Sequence, residues 1–359
     1  MLKKLIFCLL LAEISFFLGC SGDNIAETNT EEIPTPHPVG PVSQYGRLLA
    51  GNPDGVGRIY GACKGVKSGE EVQLRGMSLY WSILPRATDF YTETAITTMV
   101  RDMKVQLIRL AISTQENWGG DISGYIIDPE AQLSLIDQAV HGAILNDIYV
   151  IIDWHSHMAN WQLAEATEFF DIVSAKYGKL DNVIFEVFNE PMQQSWPDVK
   201  SYADSIVRVI RKNSDNLILV GTPNWDQKPH VAINNEVEDP LHNIAYTFHF
   251  YANTHKLGSE GAKALQAMNA GLSVFVSEWG TADADGGGVP GELTNANWQR
   301  FLNENKLSSA NWSASKINEG TAAFLEESDE NHLVYSTSGQ MVKDILSANP
   351  DSYTACETK

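Results

Sequence analysis

From about residue 45 onward, short apolar runs alternate with longer amphipathic stretches, the pattern of repeated strand and helix units on a parallel sheet. The runs predict strands at 72–78, 106–112, 149–155, 182–190, 217–222, 244–251, 273–280 and 309–313. Helices are expected between them at 92–103, 130–145, 161–176, 197–213, 228–235, 260–269 and 295–305, with a last helix at 340–348. Eight such units fit a single α/β domain, a (β/α)8 TIM barrel over 45–350, better than a doubly wound sheet, which normally uses fewer strands.

Upstream of the periodic region the chain changes character. Residues 1–20 join a basic start, Met1-Leu-Lys-Lys, to a short apolar stretch and read as an export signal rather than a membrane span. The stretch ends Phe17-Leu-Gly-Cys20-Ser, which resembles a bacterial lipobox with Cys20 as the lipid-bearing residue; Phe17 stands where leucine is usual, and plain cleavage with secretion is the alternative. Residues 21–44 carry acids, Thr, Pro34, Pro36, Pro38 and Pro41 with few large apolar groups, and are expected to be a disordered linker. Of four cysteines, Cys8 lies in the signal; Cys63 and Cys356 bracket the periodic region. In an exported protein these two are candidates to pair, tying down a tail at 351–359, and two free thiols are the alternative. No Cys/His spacing suits zinc, and no cofactor is expected.

Charge narrows the partners. Lys+Arg 25 against Asp+Glu 45 gives a formal net charge of −20, which repels nucleic acid and anionic lipid headgroups and favours a neutral or cationic ligand. Membrane attachment is then expected only through a lipid on Cys20, and the protein is taken to be a monomer.

In a barrel of this type the residues closing each strand build the active site. Here they are Tyr80 and Trp81, Arg109, His155, Asn189 and Glu190, Trp225, His249 and Tyr251, Glu278, and Trp312. Aromatic rings stack on pyranose faces while amides and imidazoles take hydroxyls, so the set suits a sugar pocket. Glu190 and Glu278 each end an apolar run. Some 5 Å apart they would repel by roughly 3 kcal/mol when both are charged, about 2 pK units at an effective dielectric near 20, so one would keep its proton.

At these residues the chain resembles glycoside hydrolase family 5, most closely its cellulase subfamily of β-1,4-endoglucanases. Asn189-Glu-Pro191 resembles the family's acid/base signature and Ser277-Glu-Trp-Gly280 its nucleophile strand. Tyr149-Val-Ile-Ile-Asp-Trp-His155, Phe248-His-Phe-Tyr251 and Ala310-Asn-Trp-Ser313 match in the same order. The resemblance implies a retaining hydrolase of cellulose or related β-glucan, with Glu190 as acid/base and Glu278 as nucleophile. It further implies that Arg109 holds Glu278 ionised, Asn189 binds the sugar 2-hydroxyl, Tyr251 steadies the nucleophile, and His155 and His249 bind hydroxyls or orient the acid. Trp312 would floor the cleft, with Trp225 a platform at a neighbouring subsite.

Each supporting role has a structural alternative: a barrel salt bridge for Arg109, core histidines for His155 and His249, core filling for Trp225. Many relatives place a histidine after Gly-Met-Ser, where this chain has Leu79-Tyr80-Trp81. The lysine following Trp312 sits one position early, as Lys316, ahead of Glu319. The same chemistry on mannan, xylan, xyloglucan or mixed-linkage glucan is open, because loops set specificity. Two other classes are a non-catalytic polysaccharide-binding surface lipoprotein and a metal-dependent hydrolase built on His155-Ser-His157.

Overall fold

The computed structural model describes residues 38–117 and 122–357. The export signal with Cys20, and the linker up to residue 37, lie outside the described residues. Among those described, no helix is long and apolar enough to cross a membrane.

An antiparallel hairpin of β1 (Leu48–Gly51) and β2 (Arg58–Gly61) precedes the eight barrel strands. These are β3 (Arg75–Leu79), β4 (Leu107–Ser113), β5 (Tyr149–His155), β6 (Val183–Glu186), β7 (Ile218–Val220), β8 (Ile244–Tyr251), β9 (Val274–Gly280) and β10 (Ser309–Ala314). All neighbours pair in parallel, and β10 closes the barrel on β3. The strands expected from the apolar runs are therefore present, two with the same bounds. The covering helices include Glu93–Met103, Pro129–Leu145, Leu163–Tyr177, Trp196–Ile210, Ala262–Asn269, Glu292–Glu304 and Thr337–Leu346. Their starts follow local chemistry: Thr92, Asp128, Ser195 and Ser336 each accept a backbone N–H of the first turn.

Alternate strand residues face the helices and the barrel interior. Ile108, Leu110, Val150, Ile152 and Val276 pack outward, whereas Leu107, Tyr149, Ile151, Ile184, Leu219, Ala245 and Phe275 fill the lower interior. Two residues further along the same inward face the filling turns polar: Arg109, Asp153, Glu186 and Ser277, all fully buried. The period of two carries this layer upward to His155, His249 and Tyr251 at the strand ends.

Several expectations are corrected. The linker does not run to residue 44: Pro41–Tyr45 is helical, Val42 packs in the lower core with Leu48 and Ile59, and Val42 N–H donates to the Asp147 carbonyl. This segment and the hairpin cap the N-terminal end of the barrel. The run 182–190 leaves the ladder after Glu186 instead of extending to Glu190, and 228–235 is a short 3-10 turn, Pro229–Ala232, rather than a helix. The expected pairing, by contrast, is present: Cys356 is disulfide-bonded to Cys63 across 293 residues with Cα atoms 5.9 Å apart, and its N–H donates to the Ser43 carbonyl, so the tail is tied down as far as Cys356. A cross-link over so long a loop removes much unfolded-chain entropy.

Candidate active site

The C-terminal ends of the strands open into a cleft of about 200 Å³ lined by Tyr80, Trp81, His155, His157, Asn189, Glu190, Tyr251, Glu278, Trp312 and Glu319. It runs on into a second hollow of about 260 Å³ bounded by Glu190, Trp225, His249 and Tyr251. Two larger hollows, about 750 and 900 Å³, lie beside the disulfide and at the starts of β8 and β9, away from the strand ends where the titratable groups converge.

Arg109 organises the cleft from below. Its Nε donates to Glu186 at 2.7 Å, Nη1 to Glu278 Oε2 at 2.9 Å, and Nη2 to Asn189 Oδ1 at 2.7 Å, with Asp153 Oδ2 at 2.9 Å from Nη2. One guanidinium thus faces three carboxyls, so its charge is shared and not dedicated to Glu278. Burial first, and then the charge of Glu190, raise the Glu278 carboxyl above the usual range, against the opposing pull of His249, Arg109 and the Tyr251 hydroxyl. Tyr251 Oη donates to Glu278 Oε1 at 2.7 Å, so both oxygens of this carboxyl are held.

Removing Arg109 would strand Asp153 and Glu186 in the interior. Arg109→Met is expected to cost about 3–5 kcal/mol of unfolding free energy at neutral pH. The deficit should shrink toward pH 4, because burial raises the Asp153 carboxyl well above its ordinary range and it takes up a proton as the pH falls. Urea midpoints of variant and parent across that range measure it; a loss under 1 kcal/mol at pH 7 would show the arginine to be dispensable to the interior.

Glu190 reaches the cleft by leaving β6 with a left-handed φ of 52°. Its backbone N–H donates to Asp226 Oδ2 at 2.9 Å, and its carbonyl lies 3.2 Å from His157 Nδ1. Asp226 ends a turn in which Asn224, Trp225 and Asp226 all have positive φ, and it also accepts the Thr222 N–H. Buried among such neighbours, the Asp226 carboxyl is pushed up to about 7. Burial likewise raises Glu190, against the smaller opposing pull of His157 and Arg109.

His249 Nδ1 lies 3.0 Å from Glu190 Oε1 and Nε2 lies 2.9 Å from Ser277 Oγ, whose hydroxyl donates to Glu186 Oε1 at 2.6 Å. With that hydroxyl proton committed to Glu186, Ser277 accepts the His249 Nε2–H, which leaves Nδ1 to meet Glu190. A register shift between β8 and β9, where Thr247 pairs with Phe275 but His249 with Glu278, lets the consecutive residues Ser277 and Glu278 both enter this network.

A Glu190 oxygen, a Glu278 oxygen and a His249 nitrogen all lie within 4.8 Å of one another. His155 rests 2.7 Å from Asp153 Oδ2 and stacks on Trp312, with centroids 5.6 Å apart and planes 9° apart, while Trp81 meets it edge-on. Burial, then the nearby Arg109, holds the His155 imidazole well below its ordinary pKa. Tyr80 packs on Trp312 and donates to Glu319 at 2.9 Å.

Of the residues singled out from sequence, Glu190, Glu278, Arg109, His155, Asn189, His249, Tyr251, Trp312, Tyr80, Trp81 and Glu319 meet here, with Trp225 at the edge. Lys316 does not. Its ammonium pairs with Asp89 at 2.9 Å and donates to the Ser328 carbonyl, outside the cleft lining. Asp153, Glu186, Asp226 and Ser277 were not anticipated. The inward period of two, counted back from His155, exposes Asp153; Ser277 enters only through the register shift between β8 and β9, and nothing local marks Asp226.

A closed (β/α)8 barrel with two carboxyls in an aromatic-walled cleft at its C-terminal end defines a class of barrel enzymes acting through paired acids. The chain belongs to the cellulase family, glycosyl hydrolase family 5, whose model matches residues 66–318. It is 38% identical over 291 residues to endoglucanase Z of Dickeya dadantii, an alignment covering 79% of this chain and 65% of the relative. To endoglucanase A of Evansella cellulosilytica it is 39% identical over 266 residues, or 72% of this chain and 52% of that one. The chain therefore spans less than two thirds of either. Among solved structures, cellulase Cel5C_n superposes with a TM-score of 0.78 at 34% identity, covering 90% of this chain and 98% of its own. A Thermobifida fusca endoglucanase Cel5A catalytic-domain variant in complex with cellotetraose gives 0.70 at 26% identity, covering 86% and 100%.

Proposed function

We propose that the chain is a retaining endo-β-1,4-glucanase acting on cellulose or related soluble β-glucan, with Glu190 as acid/base and Glu278 as nucleophile. The carrying observation is the approach of a Glu190 and a Glu278 oxygen to within 4.8 Å, which suits the short carboxyl separation of retaining enzymes and leaves no room for the water of the inverting route. The names of its relatives and the cellotetraose bound to the Thermobifida enzyme support the substrate class.

In the first step a Glu278 oxygen attacks the anomeric carbon while Glu190 protonates the departing glycosidic oxygen, giving a glycosyl ester and a free sugar end. Esterification removes the charge of Glu278, and with it roughly 3 kcal/mol of repulsion at this spacing, so Glu190 becomes a stronger acid than before. It has meanwhile lost its proton and can serve as base. Water then gives a proton to Glu190 and its oxygen to the anomeric carbon, the ester bond breaks, and the β configuration returns. Asn189, held by Arg109, keeps its amide NH2 for the 2-hydroxyl, and the Trp312 face receives the sugar ring. The enzyme works after export, secreted or tethered through Cys20, and the Cys63–Cys356 bond suits an oxidising compartment.

A panel of carboxymethylcellulose, mixed-linkage glucan, xyloglucan, xylan and mannan with product sizing tests this. Rapid shortening of carboxymethylcellulose into mixed oligosaccharides is expected. Release of sugar from mannan or xylan alone would move the substrate, and no release from any would return the chain to a polysaccharide-binding role.

A further inference from the structure

Among the described tryptophans Trp161 is the most exposed, at 74%. It closes the 3-10 turn Ala159–Trp161 after β5 and borders a groove of about 620 Å³ with Met158, Met192, Gln194, Asp198 and Trp225. Presenting an indole to water forgoes the burial that ordinarily stabilises so large a ring, and an aromatic held out on a short fixed turn is preorganised for stacking. The turn is fixed. Gln194 Nε2 donates to the His157 carbonyl at 2.7 Å, joining the loop after β5 to the loop after β6. The Trp225 and Asn224 N–H groups donate to the Pro191 and Met192 carbonyls at 3.0 and 3.1 Å, joining the loop after β7 to the same segment.

This groove continues the catalytic cleft. Trp225 borders both the hollow containing Glu190 and the groove containing Trp161, whereas Glu278 borders only the cleft on the far side of Glu190. Since Glu190 protonates the leaving oxygen in the reading above, the Trp225 side receives the leaving portion of the chain. Its lining combines indole and thioether surface with an amide and a carboxylate, which match the apolar faces and equatorial hydroxyls of a neutral glucan. A net charge of −20 disfavours a polyanion in the same place.

We infer that Trp161 is a distal platform for the leaving-side portion of a neutral β-glucan, beyond Trp225, and that it sets a preference for long chains. The inference rests on the endoglucanase reading. Remote stacking contributes to kcat/KM only for substrates long enough to reach it.

The test compares parent, Trp161→Ala and Trp161→Phe on an aryl β-cellobioside, whose small leaving group ends short of the groove, and on cello-oligosaccharides of increasing length. For Trp161→Ala, kcat/KM on the longest oligosaccharides is expected to fall roughly 3- to 10-fold, mostly through KM, with Trp161→Phe recovering most of it. The loss should vanish on the aryl substrate. Equal kcat/KM for parent and Trp161→Ala at every length would overturn the inference, as would an equal loss on the aryl substrate, which marks a structural role. A parent that cleaves none of these substrates would instead overturn the endoglucanase reading, and this inference with it.

Discussion

Glu278→Gln is expected to lower kcat on carboxymethylcellulose by roughly four orders of magnitude or more, about 5 kcal/mol of barrier. Glutamine keeps the shape, and its carbonyl oxygen can still accept from Arg109 or Tyr251, which hold the native carboxylate at 2.9 and 2.7 Å. It lacks the charge and the lone-pair basicity needed to form the ester. Arg109 retains Asp153 and Glu186 as counter-ions, so the fold should persist, with a thermal midpoint close to the parent's. Activity within tenfold of the parent in a folded variant would remove Glu278 from the nucleophile's role.

Glu190→Ala is expected to separate the two steps. On a polymer with a poor leaving group, kcat/KM should fall roughly 10²- to 10⁴-fold, because protonation of the glycosidic oxygen is lost. On an aryl cellobioside whose phenolate leaves unaided, glycosylation proceeds and the ester accumulates, as no group remains to activate water. Azide needs no such base. Added azide should restore turnover and yield the β-glycosyl azide, since it attacks the face that water would use. No response to azide, or the α-azide from this variant, would contradict the assignment. The pH profile of the parent should be bell-shaped with both limbs displaced upward: kcat/KM falls on the alkaline side as Glu190, raised by burial, loses its proton, and on the acid side as Glu278, also raised by burial, gains one.

The barrel was legible because parallel strands buried on both faces read as continuous apolar runs. Tyr149–His155 and Ile244–Tyr251 emerge with their bounds because each run ends in a polar or aromatic group at the mouth. Glu190 and Glu278 were legible for the same reason. Less legible was how each enters the cleft. Glu190 leaves the ladder through a left-handed backbone position, and Glu278 shares its side of the sheet with Ser277 through a register shift; neither follows from alternation. Asp153 and Glu186 were masked by the apolar runs around them, although their burial requires a shared cation, which Arg109 supplies. Only the first residues of the N-terminal cap, 41–44, read as linker, because the composition up to Pro41 is that of a tether. Its docking depends on Val42, Leu48 and Ile59 meeting the open bottom of the barrel. Asn52-Pro-Asp-Gly55 between two apolar runs was the available hairpin signal.

The most direct test of the central claim uses a 2-deoxy-2-fluoro-β-cellobioside with a good leaving group. Fluorine at C2 slows both oxocarbenium-like steps, while the leaving group keeps the first one fast enough for the ester to accumulate. Intact mass should rise by one fluorocellobiosyl unit, and peptide mapping should place it on Glu278. Inactivation with the sugar on another residue, or steady turnover with α-configured product and no adduct, would contradict it.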